Sequence, residues 1–210
     1  MKRLFACAFM ILMAGVPAFA GQRTAVFAGG CFWCVEKDFE GVPGVIEATS
    51  GYIGGSKADA SYRKVTQGGT GHYEAVQILY DDSRISYAEL VHLFFRSVDP
   101  VDEGGQFCDR GTSYRTAIFT ANRSEAAVAK AAKQKAGKEL GQKIVTPILP
   151  ATPFYVAEDY HQDYYKSTEK TLTRFGLITR AKAYSRYRTA CGRDARVKQL
   201  WGSTWTSAGS

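Results

Sequence analysis

A short apolar run, Thr24–Ala28, ends on Gly29-Gly30 and passes without a spacer into Cys31–Phe39. In that second segment Phe32, Val35 and Phe39 recur at helical spacing. A strand that becomes a helix across two glycines admits few architectures. The glycines permit a tight reversal and close approach of a neighbouring chain or a ligand. The first residue of the helix, Cys31, is then presented at the end of a strand, where a sheet opens to solvent.

The rest of the chain continues the alternation. Val45–Gly51 reads as a strand ending in the turn Gly51-Tyr52-Ile53-Gly54-Gly55, and His72–Tyr80 alternates with the period of two of a half-buried strand. Ser86-x-x-Glu89 is a capping box, and the helix it opens carries Leu90, Val91 and Phe94 before stopping at Asp99-Pro100. Tyr114–Thr120 is a further strand. Asn122-x-x-Glu125 opens an alanine- and lysine-rich helix running to about Leu140, and Ile144–Leu149 has the character of one more strand. From Pro150 onward the pattern is aromatic and irregular, with a helical piece near His161–Leu172. No repeat and no Gly/Ser linker divides this stretch. The expectation is one α+β domain over residues 21–210, a two-layer sandwich with a central mixed sheet, a ferredoxin-like core and a long irregular C-terminal segment. A charged fraction of 22% with 13% aromatics excludes a disordered tail or a low-complexity polymer.

The first twenty residues read as an address. Lys2 and Arg3 precede the apolar run Leu4–Val16, and Ala18-Phe19-Ala20 is a small-x-small cleavage site. The run is shorter than the roughly 20 residues needed to span a bilayer. Export, most naturally to the periplasm, with cleavage after Ala20 and no membrane attachment afterwards, is therefore expected. Cleavage removes two of the 27 basic residues and none of the 20 acidic ones, leaving a charge of +5 on 190 residues. The basic residues are scattered apart from Arg180–Arg196, which together with export argues against nucleic acid.

Cleavage also removes Cys7 and leaves Cys31, Cys34, Cys108 and Cys191. Four cysteines in an exported chain can mean two structural disulfides holding a secreted binding module. Zinc is a weak reading, because there is one Cys-x-x-Cys and the other two cysteines lie far apart. Catalysis is the stronger one. Cys31 follows a strand and two glycines at a helix N-terminus, whose unpaired N–H groups and dipole favour a thiolate, so its pKa is expected to fall. Such a thiolate is a nucleophile. Cys34, one turn on, reads equally well as an ordinary helix residue or as half of a thiol–disulfide exchange pair. A Cys/His hydrolase with His72 or His161 as base also stays open.

Glu74 falls on the same strand face as Val76, Ile78 and Tyr80, the more apolar one. A carboxyl there should have a raised pKa and be available as a general acid, unless the open end of the strand leaves it solvated or paired with a lysine. Asp109–Arg115 is a polar, glycine-containing loop entering a strand, compatible with a surface turn or with part of a site. Tyr52, between glycines, is either a lid on the core or a hydrogen-bond donor.

Six elements occur in order: Gly30-Cys31-Phe32-Trp33, Gly51-Tyr52-x-Gly54-Gly55, Gly71-His72-x-Glu74, Tyr80-Asp81, Asp109-x-Gly111-x-x-Tyr114-Arg115 and Glu158-x-Tyr160-His161-Gln162. In these the chain closely resembles the class A peptide methionine sulfoxide reductases, from about Thr24 to about Gly202. The resemblance implies that Cys31 attacks the sulfoxide sulfur and Glu74 protonates the departing oxygen. It implies that Tyr52 and Tyr114 hydrogen-bond that oxygen, that Asp109 helps position the site, and that Phe32 and Trp33 receive the methionine methyl group. It further implies a Cys31 sulfenic acid and an intramolecular disulfide, for which Cys191, beside Gly192 in a tail of about 180–210, is the resolving thiol and Cys34 or Cys108 the alternatives. Recycling by a thioredoxin-like donor, no metal, no organic cofactor and a monomer complete the expectation. The chain departs from the common family pattern at Cys34, where many members have a small residue, at Cys108, where many have Asn, and at Ser113, where many have Gln. The first two departures put extra thiols near the reaction centre.

Overall fold

The computed structural model describes residues 21–202, so the export signal lies outside the described residues, as does the end of the tail. In chain order the elements begin with β1 (Gln22–Gly29), α1 (Phe32–Glu40), β2 (Val45–Ile53), α2 (Tyr62–Gln67), β3 (Tyr73–Asp81) and α3 (Tyr87–Ser97). They continue with β4 (Gly105–Gln106), β5 (Asp109–Arg110), β6 (Thr116–Thr120), α4 (Arg123–Leu140), β7 (Ile148–Pro150) and β8 (Phe154–Val156). The chain closes with the hairpin β9 (Lys170–Thr173) and β10 (Gly176–Thr179), then α5 (Arg180–Ala190) and α6 (Arg193–Trp201).

Six strands form one sheet in the order β7-β6-β1-β3-β2-β8. β1, β2, β3, β6 and β8 pair antiparallel, and only β7 lies parallel to its neighbour β6. The succession β1-α1-β2-β3-α3-β6, with β1 and β3 central, is the split βαβ arrangement expected of a ferredoxin-like core. Period-two alternation divides the strands between two faces. Phe27, Val76 and Ile78 point into the main core with Phe39, Phe94 and Ala129 from the helices. Val26, Ala28, Ala75 and Ala117 form a thinner apolar layer on the other face.

The helix starts read from the sequence are built as expected. The Ser86 hydroxyl accepts from the Glu89 N–H at 3.2 Å, and the Glu89 carboxylate accepts from the Ser86 N–H at 2.8 Å. The Asn122 side chain accepts from the Glu125 N–H at 2.9 Å, and Gly141 ends α4 in the left-handed region at φ 63°. Buried Ala129 and Ala136 are the small residues through which α4 meets the core.

Two expectations need correction. Residues His161–Leu172 are not helical: Asp159–His161 is one 3₁₀ turn, and the segment ends in β9. Its aromatics pack sideways, Tyr164 stacking on Trp33 at 3.8 Å, so tertiary contact rather than a helical stripe explains their spacing. The final segment, expected to be irregular, carries α5 and α6. Its anchors are partly polar, beside the buried Tyr184, Val197 and Trp201. Arg193 is 2% exposed, bonds to the Gly29 carbonyl at 3.1 Å and lies 3.6 Å from Asp38. Arg188 reaches the same Asp38 at 2.9 Å.

Gly30 fixes the junction on which the site stands. Its φ is +83°, and a Cβ there would sit 2.5 Å from Cβ of the fully buried Gln106. Gly30→Ala is expected to lower the unfolding free energy by about 1–3 kcal/mol through backbone strain alone, with the Gln106 clash adding to it. Urea unfolding with an unchanged m-value checks this, and a stability equal to the wild type would exclude it.

Candidate active site

Cys31 caps α1 at the end of β1, and its carbonyl accepts from the N–H groups of Cys34 and Val35. β3 brings up Glu74, which is 1% exposed, and the next N–H of the helix, that of Phe32, donates to its Oε2 at 3.1 Å. The Tyr114 hydroxyl, from the turn before β6, also hydrogen-bonds Glu74. Burial pushes the Glu74 carboxyl up to about 8, the charge of Asp109 adds to this, and the Phe32 and Tyr114 hydrogen bonds oppose it. Glu74 is therefore a protonated acid at neutral pH, as its apolar strand face predicted.

A cavity of about 70 Å³ sits over Cys31, lined by Phe32, Trp33, Tyr62, Glu74, Asp109 and Tyr114. Cys31, Trp33, Tyr62 and Asp109 also line a larger cavity of about 420 Å³. Burial, followed by the Glu74 charge, raises the pKa of both Tyr62 and Tyr114, so both phenols are neutral hydroxyl donors. Asp109 is raised too by burial, with Arg193 opposing.

The second phenol at this cavity is Tyr62 rather than Tyr52. Register places Tyr52 directly opposite Glu74, but its ring is fully buried and its hydroxyl donates to Glu158 Oε2 at 2.8 Å. Tyr52 packs behind Phe32, their ring centroids 5.9 Å apart. Glu158 also accepts the Tyr62 N–H at 3.0 Å, which sets the start of α2 and aims Tyr62 at the site. Nothing in Ala60-Ser61-Tyr62-Arg63 announces this. The signal was Glu158, a carboxylate far along the chain that serves two tyrosines.

The expectation for Cys31 also reverses. Its thiol is pushed up, first by its hydrogen bond with Cys34, then by burial and by the charges of Cys34, Glu74 and Asp109. Cys34 is drawn down to about 7 by the same hydrogen bond, with Arg193 and Arg188 helping and burial opposing. The helix-terminus argument missed that Glu74 already occupies the Phe32 N–H.

The remaining cysteines are joined to each other. Cys108 and Cys191, 83 residues apart, form a disulfide, and both line the larger cavity with Cys31 and Cys34. Neither histidine is placed as a base for Cys31. Both ring nitrogens of His72 face backbone, Nδ1 accepting from the Gly55 N–H and Nε2 meeting the Ser56 carbonyl. His161 accepts from Trp33 Nε1 at 3.2 Å, and burial lowers its pKa to about 4. Gln162 bonds both the N–H and the carbonyl of Ser50, so the Glu158–Gln162 motif is fastened to β2 behind the site.

A nucleophilic sulfur facing a protonated buried carboxyl and two phenols, with no histidine lining its cavities among the described residues, defines a thiol-dependent reductase rather than a Cys/His hydrolase. The comparisons agree. The family model "Peptide methionine sulfoxide reductase" matches residues 23–194. "Peptide methionine sulfoxide reductase MsrA 2" of Caulobacter vibrioides is 48% identical, over 95% of this chain and 96% of its own. "Peptide methionine sulfoxide reductase MsrA" of Bacillus licheniformis is 43% identical, over 86% of this chain and 94% of its own. Among solved structures, Mxr1 from Saccharomyces cerevisiae in reduced form superposes with a TM-score of 0.68 at 29% identity, covering 76% of this chain and 93% of Mxr1. Methionine sulfoxide reductase A of Corynebacterium diphtheriae gives 0.62 at 31%, covering 78% and 84%. The chain belongs to the peptide methionine sulfoxide reductases, class A.

The Glu74 proton has a measurable cost. The folded protein holds it up to about pH 8, whereas an unfolded carboxyl releases it near 4.5. Its contribution to stability is thus fully present below the lower value and is lost as pH rises through the upper one. Glu74→Gln carries no such loss, so its stability relative to the wild type should rise between about pH 5 and about pH 9. Urea midpoints at the two pH values test this, and a constant difference would place the Glu74 pKa near the ordinary value.

Proposed function

We propose that Cys31 attacks the sulfur of methionine (S)-S-oxide, free or within a peptide, while Glu74 hands its proton to the departing oxygen. The observation that carries this reading is the buried, protonated Glu74 lining the same small cavity as Cys31. A sulfoxide oxygen leaves poorly until it is protonated, so the reaction needs a neutral acid close to the nucleophile more than a base. Tyr62 and Tyr114 donate hydrogen bonds to that oxygen, which gathers negative charge as the S–O bond breaks. Phe32 and Trp33 receive the methyl group, and Asp109 positions the wall between the two cavities. The Cys31 proton passes to its neighbour Cys34, whose sulfur already shares it.

The products are the thioether and a Cys31 sulfenic acid, the first step on the thiol oxidation ladder. A thiol of the same chain condenses with it to a disulfide and releases water, and Cys191, which lines the larger cavity with Cys31, is the resolving thiol of this reading. An external dithiol of the thioredoxin type then restores the thiols. Mxr1 has been seen in complex with Trx2, a likeness of fold that suits such a donor.

Cys31→Ser should abolish reduction of methionine sulfoxide by dithiothreitol, and Glu74→Gln should slow it by about 10²–10⁴-fold. The single-turnover rate of the wild type should fall as pH rises through about 8, when Glu74 ionises. Tyr62→Phe should lower kcat, whereas Tyr52→Phe should lower stability and spare kcat. His161→Ala retaining activity separates this reading from a hydrolase. No methionine formed by the wild type would refute it outright.

The basic n-region, apolar run and Ala18-Phe19-Ala20 site support a further reading, in which the protein is exported to the periplasm. Mass spectrometry of the periplasmic fraction should find a mature chain starting at Gly21. A chain retained in the cytoplasm with Met1 intact would exclude export.

A further inference from the structure

The sulfoxide group needs only the small cavity, yet Cys31 also opens on the larger one of about 420 Å³, a size usual for a whole bound ligand. The larger space is left for the rest of the substrate. Part of its wall is the β9–β10 hairpin, which supplies Thr171, Leu172, Thr173 and Arg174.

The hairpin is fastened where it meets the site. Thr171 hydrogen-bonds the Tyr164 hydroxyl, and Tyr164 stacks on Trp33. Between the paired Thr173 and Gly176, Arg174 and Phe175 make the turn. The Thr173 hydroxyl accepts from the Phe175 N–H and donates to the Gly176 carbonyl, both at 3.0 Å. Phe175 packs against Tyr187 of α5, their ring centroids 5.3 Å apart. The Arg174 guanidinium lies over both rings, 4.8 Å and 5.2 Å from their centroids. Stacking of this kind restrains a side chain that would otherwise swing in solvent.

The charged side chains lining the larger cavity are Asp109, Arg174, Arg188 and Arg193. Arg188 meets Asp38 and Asp194, and Arg193 meets Asp38 and the Gly29 carbonyl. Among the described residues, Arg174 has neither a carboxylate nor a hydrogen-bond acceptor. On the same hairpin Leu172 and Leu177 form a cross-strand pair, 82% and 64% exposed, the two most exposed large apolar side chains among the described residues. A bare apolar pair beside a reaction centre suits a chain lying across it.

We propose that Arg174 is a specificity residue, receiving the carboxylate of an aspartate or glutamate that flanks methionine sulfoxide in a peptide substrate. The proposal rests on the reductase reading above. The guanidinium fork matches a carboxylate, and none of its donors is used within the chain. Asp109, the one carboxyl of the wall, is raised by burial and so opposes an incoming carboxylate less than a full charge would. A lysine in the same place would meet three guanidiniums. The leucine pair carries apolar residues further along the same peptide.

The test compares kcat/KM, with dithiothreitol as reductant, for peptides carrying methionine sulfoxide between two glutamates or between two lysines. Wild type should favour the glutamate peptide by about three- to tenfold, chiefly through KM, and about 0.5 M salt should shrink the preference. Arg174→Gln should abolish it and Arg174→Glu should reverse it. Arg186, 5.5 Å from the centroid of the same Phe175 ring, lies outside the cavity wall, so Arg186→Gln removes an equal charge and should keep the preference. Each ratio compares two substrates on one enzyme, so a partly unfolded variant does not distort it. Equal treatment of the two peptides by wild type, a wild-type ratio in Arg174→Gln, or an equal loss in Arg186→Gln would each overturn the proposal. So would an Arg174→Gln loss on free methionine sulfoxide as large as on the glutamate peptide, which would assign the guanidinium to the α-carboxylate. A wild type that reduces neither peptide would refute the reductase reading instead.

Discussion

The hydrogen bond from the Phe32 N–H to the Glu74 carboxyl ties the chemistry to the fold. One partner is the first turn of a helix that Gly29-Gly30 launches from β1. The other is a carboxyl at the open end of β3, the strand that pairs with β1 in the middle of the sheet. The bond satisfies a helix N–H that would otherwise lack a partner, and it holds the acid in the buried position that keeps it protonated. Two effects compete on Glu74: hydrogen bonding favours the charged form and desolvation the neutral one. Desolvation wins by enough to carry the carboxyl to about 8. A site with the same residues but an open approach for water would lose the acid while keeping its geometry.

What was legible in the sequence was what local chemistry determines. The strand-to-helix junction, both helix caps and the apolar face bearing Glu74 follow from neighbours within four residues, and they stand where spacing put them. Cys31 and Glu74 follow with them, whereas Phe32, Trp33 and Tyr114 enter only through the resemblance to the reductase family. The rest depends on partners distant in sequence. Tyr52 and Tyr62 are told apart by Glu158, about a hundred residues on, which accepts the hydroxyl of one and the amide of the other. The helices of the tail are held by Arg188 and Arg193 on Asp38 as well as by the buried Tyr184, Val197 and Trp201, and the polar half of that anchoring is set by a residue about 150 positions away. The Cys31 thiol defied expectation because the dipole argument counts the helix terminus and omits the carboxyl bound to it.

Asp38 connects the tail to the catalytic helix. It lies on α1, buried at 1% exposure, and meets two guanidiniums that bracket Cys191 in sequence. Removing one partner of such a buried group typically costs about 3–5 kcal/mol, because a charge is left without compensation. That cost keeps α5 and α6 seated, and with them the disulfide on the cavity wall. Arg193 ties the same tail to the end of β1 through the Gly29 carbonyl and lies over the Phe107 ring, next to Cys108. The Cys108 loop, the tail and the catalytic helix are thus joined at one side chain.

The same network explains how one helical turn serves two opposed electrostatic demands. Protonating a leaving oxygen requires a neutral acid, favoured by nearby carboxyls and little water. Thiol exchange requires a thiolate, favoured by cations. Around Cys31 the neighbours are Glu74 and Asp109, and around Cys34 they are Arg193 and Arg188. Because residues i and i+3 of a helix share a face, the two sulfurs touch while facing different surroundings. The Cys31 thiol is pushed up and the Cys34 thiol drawn down by their shared hydrogen bond and these surroundings. A thiolate beside Glu74 raises the pKa of the carboxyl in turn, so the charge of the thiol pair helps to keep the acid protonated.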